Sequence, residues 1–146
     1  YVEKSIEPFD LFVSIPTTSP LGEVSDIDNA IKKLLSSNSD ICIAVTKSSR
    51  NPYFNLVEKN KKGFLVLLDN LQKRITDRQS APITYDMTTI VYASHKSFIL
   101  SKQNIFDGDV SFIEVTKERS LDIDDPFDLQ IAEMVLTRKI EKKKKR

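Results

Sequence analysis

Ile41-Cys42-Ile43-Ala44-Val45 puts five apolar residues in a row without alternation. A strand with one wet face alternates apolar and polar residues. An unbroken short run suits a strand covered on both faces, as in α/β folds with a parallel sheet. Leu11-Phe12-Val13-Ser14-Ile15 is a second run of this kind. Between them Ile27, Ala30, Ile31, Leu34 and Leu35 recur at helical spacing, with Ser25 as expected cap and Asp28 as its capping-box partner. Strand, helix and strand follow one another as a βαβ unit, expected to be right-handed.

The pattern then changes. Tyr53 to Glu58 and Gly63 to Leu68 read as two strands around the polar turn Lys59-Asn60-Lys61-Lys62, which is hairpin character. Leu68 to Ile75 fits a helix as well as a strand, and Asp77 to Pro82 is polar and irregular. Thr88 to Ala93 is another strand, followed by a short helix from Ser94 to Ser101. Asn104 to Asp109 reads as a turn in which Gly108 can supply a positive φ. Val110 to Val115 is a further strand. After it Asp125, Pro126 and Asp128 are suited to the N-cap, N1 and N3 positions of a helix whose apolar face runs through Phe127, Ile131 and Val135.

The 146 residues are 40% hydrophobic, enough for one core. Twenty-two Lys and Arg against 21 Asp and Glu leave a formal charge of +1, which does not suggest a nucleic-acid partner. The Lys142–Arg146 run suits a helix C-terminus and solvent. Cys42 is alone, inside an apolar strand, so no disulfide framework exists. No apolar run is long enough for a membrane span, and a soluble, cytoplasmic protein with no membrane partner is expected. The single His95 precludes a multi-histidine metal site and falls at a helix start, where exposure is expected.

Two places carry candidate chemistry. Asp122 and Asp124 are two apart in expected extended chain, so their carboxylates point to one side and Leu121 and Ile123 to the other. A Mg²⁺ ion would remove the repulsion of such a pair, because hard cations take oxygen ligands. Mg²⁺ is in turn the common companion of triphosphate chemistry. Pro16-Thr17-Thr18-Ser19-Pro20-Leu21 leaves the C-terminal end of the first strand, where ligands bind in open α/β sheets.

Seven segments, in order, resemble the CMP-sugar synthetases, the acylneuraminate cytidylyltransferase family, and most of all the branch acting on nonulosonic acids such as legionaminic acid. They are Pro16–Leu21, Asp26–Ala30, Arg50–Asn55, Arg78–Pro82, Tyr85–Thr89, Phe106–Gly108 and Glu118–Asp124. The resemblance implies a Rossmann-like nucleotide-diphospho-sugar transferase fold, three-layered with a mostly parallel sheet. It makes residues 1–146 a single domain, with a small β-rich insertion at about 48–86 for dimerisation and the sugar site.

The implied reaction transfers CMP from CTP to a sialic- or legionaminic-type acid, releasing pyrophosphate. In that pattern Asp122 and Asp124 are catalytic and hold Mg²⁺. Thr18 and Ser19 line the sugar and nucleotide cleft, and Arg78, Gln79 and Tyr92 face the sugar. Arg50, Tyr53 and Asn55 belong to the insertion that helps form a homodimer and reaches the neighbouring subunit's sugar site. Sialic acid-specific relatives often carry Arg where Gly22 or Asp86 stands; Asp86 would bond a sugar amino or hydroxyl group. The family's Gly-, Arg- and Lys-containing phosphate loop has no counterpart before Asp10. The chain is therefore expected to match the C-terminal two thirds of such an enzyme. A catalytically inactive sugar-binding or dimerisation module is the alternative.

Overall fold

The computed structural model describes residues 8–68 and 79–144. Its strands and helices are β1 (Leu11–Ser14), α1 (Val24–Ser36), β2 (Ile41–Lys47), β3 (Val57–Lys59), β4 (Leu65–Leu67), β5 (Tyr85–His95), α2 (Lys96–Ser101), β6 (Val110–Glu114) and α3 (Pro126–Lys144). The possible helix at Leu68–Ile75 and the start of the irregular stretch at Asp77 lie almost wholly outside the described residues. No helix among the described residues is long and apolar enough to cross a membrane.

Contacts divide the chain into two compact units, residues 47–86 and the remainder. The remainder holds a four-stranded sheet in the order β1-β5-β2-β6. β2 and β6 pair in parallel, Ile41 opposite Val110 and Val45 opposite Glu114. β1 and β5 pair antiparallel, Leu11 opposite His95 and Ser14 opposite Tyr92. β5 also runs against β2: His95 N–H donates to the Asp40 carbonyl at the start of β2 (3.1 Å), and Ser48 N–H, beyond its end, donates to the Thr84 carbonyl (2.9 Å). The strands β1, β2 and β6 therefore share one direction. Three of the four strands thus run one way, as expected, and the reversed strand β5 enters between the two strands of the β1–α1–β2 unit.

The apolar run of β2 works as its composition requires. Cys42 and Ala44 face Ala30 and Leu34 of α1, while Ile41, Ile43 and Val45 pack with Phe98 of α2 on the opposite face. Leu34, Cys42, Ala44 and Val91 are wholly buried. Burial pushes the Cys42 thiol above its ordinary range, which keeps it protonated and inert.

Several local expectations shift. Helix α1 is capped by Glu23 rather than Ser25, and the Glu23 N–H donates to Asp26 Oδ2 at 2.9 Å. The capping pair thus moves two residues toward the N-terminus, because Asp26 is held there by a distant cation described below. His95 ends β5 and caps α2, half-buried rather than exposed. Gly108 has φ −145° and needs no left-handed backbone. It is small for another reason: a Cβ there would strike the Asp40 carboxylate and lie 2.6 Å from the Phe98 ring. The cap of α3 is as expected, with Asp125 Oδ1 accepting from the Phe127 and Asp128 N–H groups (2.8 and 2.9 Å).

The second unit is built on turns. Asn51 Oδ1 accepts from Tyr53 N–H (3.0 Å), and its amide nitrogen donates to the Pro82 carbonyl (3.0 Å). The hairpin β3–β4 pairs Val57 with Leu67 and Lys59 with Leu65, shorter than the two expected strands, and Tyr53 stands in the preceding turn. Asn60 Oδ1 closes the hairpin by accepting from Lys62 and Phe64 N–H. Gly63 takes φ +87°, a value an L side chain rarely adopts.

Candidate active site

β1 and β6 end at the same end of the sheet, so the loops that follow them leave from that end together. Their meeting point is a backbone bond: Ile123 N–H donates to the Thr18 carbonyl at 2.9 Å. Ser19 is buried and its hydroxyl bonds that of Thr89 on β5. The Pro16–Leu21 loop is thereby tied both to the sheet and to the Asp122–Asp124 segment. Thr18 itself remains exposed.

Asp122 is half-buried, as are Leu121 and Ile123, so the expected clean division into wet and dry sides does not hold. Asp124 alone of these residues is exposed, and its N–H donates to the Asp128 carboxylate at 3.1 Å. The Oδ1 atom of Asp122 is sequestered from solvent and has no hydrogen-bond partner. An unsatisfied buried carboxylate oxygen is costly in a protein without a ligand. Tyr92, on β5 opposite Ser14, senses the same group. Burial, and then the Asp122 charge, push its phenol above the ordinary 10.0.

The orphaned oxygen is what a hard cation would satisfy, so the donor set fits Mg²⁺. No group of three or more His, Cys, Asp or Glu able to hold a metal occurs among the described residues. Two carboxylates suit an ion that keeps waters and takes its other ligands from phosphates.

The loop after β6 is also pinned through a side chain. Arg119 meets Glu23 Oε2 and Asp26 Oδ1, each at 3.2 Å, and Lys139 of α3 meets Glu23 Oε1 at 3.1 Å. Lys139 first, and Arg119 after it, hold the Glu23 carboxyl below its ordinary 4.5.

The remaining predicted site residues belong to the second unit. Arg50 is exposed and lines a cleft of about 200 Å³ with Lys47, Asn51, Phe54, Pro82 and Thr84. Asn55 uses its side-chain oxygen within the turn, accepting from the Asn51 N–H. Gln79 and Asp86 are exposed, Tyr53 is half-buried, and Arg78 lies outside the described residues. The structure thus brings together Thr18, Ser19, Tyr92, Asp122 and Asp124, and gathers Arg50, Tyr53 and Asn55 separately.

Comparison with known proteins bears on this constellation. No family model matches the chain. It is 32% identical over 98 residues to a CMP-N,N'-diacetyllegionaminic acid synthase of Campylobacter jejuni, covering 66% of the chain and 40% of that protein. The chain is related to the CMP-sugar synthetases. It is also 28% identical over 138 residues to a post-translational flagellin modification protein B of Campylobacter coli, covering 90% of the chain and 54% of that protein. The chain spans about half the length of the curated relatives it matches. The fold is shared with a solved structure: a 4-diphosphocytidyl-2C-methyl-D-erythritol synthase from Anaerococcus prevotii superposes with a TM-score of 0.59 at 13% identity, covering 92% of the chain and 62% of that structure.

Arg119, Asp26 and Thr89 fall within segments resembling the CMP-sugar synthetases, but the sequence alone gives none of them a role and does not single out Glu23. An acid three residues beyond Glu23, in the first turn of α1, was the available signal. A buried Asp needs a cation, and 93 residues separate it from Arg119.

Proposed function

We propose that this chain carries the metal- and sugar-facing part of a cytidylyltransferase that transfers CMP from CTP to a nonulosonic acid of the sialic or legionaminic type, releasing pyrophosphate. The observation that carries the reading is the solvent-sequestered, unpartnered Asp122 Oδ1, in a loop bonded to the Thr18 loop at the C-terminal end of the sheet. The relationship to a legionaminic acid synthase supports the sugar class.

Asp122 and Asp124 would hold Mg²⁺, which when bound would neutralise phosphate charge. The protein's own work is positional. The Ile123–Thr18 bond and the Ser19–Thr89 hydroxyl pair keep the two loops in register. Thr18, exposed beside them, offers a hydroxyl to the sugar or nucleotide. Tyr92 stays protonated at neutral pH and can donate a hydrogen bond. Arg50, Tyr53, Asn55, Arg78, Gln79 and Asp86 would serve the sugar, with Arg50 suited to its carboxylate. The hairpin exposes Val57, Phe64, Leu65 and Leu67, apolar surface that suits pairing with a second copy in a homodimer.

The test is pyrophosphate release from CTP with Mg²⁺, offering legionaminic and N-acetylneuraminic acids separately. Release with one acid, lost in Asp124→Asn while the fold persists, is expected of the whole enzyme. Full activity in that variant would sink the metal assignment. The three glycines, Gly22, Gly63 and Gly108, are scattered and form no phosphate-cradling loop. A second reading, a sugar-binding module without turnover, predicts that calorimetry shows sugar binding while no pyrophosphate appears.

A further inference from the structure

Arg119 stands three residues before Asp122, yet its two terminal nitrogens are engaged elsewhere, while its Nε is buried without a hydrogen-bond partner. One terminal nitrogen meets Glu23 and the other meets Asp26, each at 3.2 Å. A guanidinium gripped by two different carboxylates is fixed in its plane as a single ion pair would not fix it. The Asp26 side chain is 3% exposed, and its other oxygen is occupied by the Glu23 N–H. A carboxylate buried so deeply depends on its cation, so the pair resists opening. Lys139 takes the remaining oxygen of Glu23. Two acids and two bases then balance, and both terminal nitrogens of Arg119 are engaged away from Asp122.

The loop is thus held at two points that flank Asp122: at Arg119 by this cluster, and at Ile123 by the bond to the Thr18 carbonyl. Within the loop the Arg119 and Ser120 N–H groups both return to the Thr116 carbonyl (3.0 and 3.2 Å), which makes the span from Thr116 to Ser120 a closed turn. Between the anchors Asp122 keeps one oxygen unpartnered. A carboxylate fixed in advance loses less freedom when it takes a ligand.

We propose that Arg119 is a positioning residue for Asp122: clamped by Glu23 and Asp26, it fixes the loop and leaves the Asp122 carboxylate free for a divalent cation. This rests on the metal reading of the site.

The experiment is a Mn²⁺ titration followed by electron paramagnetic resonance, with Mn²⁺ standing in for Mg²⁺, on wild type, Arg119→Gln, Asp122→Asn, the double variant and Arg119→Lys. Arg119→Gln is expected to bind Mn²⁺ about tenfold more weakly, the size of loss seen when groups supporting metal ligands are removed. The double variant is expected to bind no worse than Asp122→Asn, because Arg119 acts through that residue. Arg119→Lys, able to hold one acid but not both, is expected to recover part of the loss. Wild-type affinity in Arg119→Gln, or losses that add in the double variant, would overturn the proposal while leaving the metal site standing. Equal Mn²⁺ binding by wild type and Asp122→Asn would instead remove the metal reading and this proposal with it. Should Arg119→Gln fail to fold, Glu23→Gln weakens the same clamp at an exposed contact, and its binding must fall in the same direction.

Discussion

The two units of this chain are held by different means. The sheet unit carries every buried residue among the described positions; of the described residues from Lys47 to Asp86 none is buried. The sheet unit is stabilised by apolar burial on both faces of β2. The 47–86 unit is organised by side-chain-to-backbone bonds from Asn51, Asn55 and Asn60, with its large apolar side chains facing outward. The difference teaches where a substitution is felt as lost stability and where it would be felt only as lost association. Where none of the described side chains is buried, a smaller one costs little stability, and the exposed apolar ones have much to offer a partner.

The comparison breaks if core and hairpin truncations cost the same. Leu34→Ala, at a wholly buried site on α1, should cost about 2–5 kcal/mol by chemical denaturation. Phe64→Ala, 69% exposed on the hairpin, should stay within about 0.5 kcal/mol at concentrations where the chain is monomeric. A similar contrast holds for the glycines. Gly108→Ala forces a methyl against Asp40 and Phe98 inside the sheet unit and should cost about 1–3 kcal/mol. Gly63→Ala meets only Lys59 Cε at 3.9 Å, an ordinary contact, and suffers only its positive φ, about 1 kcal/mol, again by denaturation.

Electrostatic effects sharpen the comparison on a smaller scale. Asp122→Asn removes a negative charge that raises the Tyr92 phenol, so the Tyr92 pKa should fall, while burial still keeps it above 10.0. Ultraviolet titration checks this, and an unmoved phenol would separate Asp122 from Tyr92. Smallest is the Glu23 contact. Its carboxyl is lowered in the folded chain, so its contribution is present above the unfolded value of 4.5 and disappears as pH falls through the lower folded value. Wild type should therefore lose slightly more stability on acidification below 4.5 than Glu23→Gln does.

What could be read in the sequence was local. The apolar run at Ile41–Val45 forced a two-faced strand, and Asp125, Pro126 and Asp128 took the cap positions their chemistry suits. The pairing of the two strand-end loops followed from chain direction. Two things were not readable, for one physical reason. The reversed strand β5 between β1 and β2, and the Arg119–Asp26 pair that displaced the cap of α1, both depend on residues far apart in the chain. Local propensity contains no information about either. Gly108 was misread because a glycine serves a tight approach as readily as a left-handed turn.

The position of β5 has a consequence for how the chain acquires its structure. β1 and β2 are not neighbours in the sheet; residues 85–95 lie between them and pair with both, and β2 pairs on its other side with β6. The opening βαβ segment can form its helix early, but its two strands cannot pair with β5 until residues 85–95 have followed. During synthesis the apolar run at Ile41–Val45 thus needs shielding until β5, α2 and β6 have all followed to cover it.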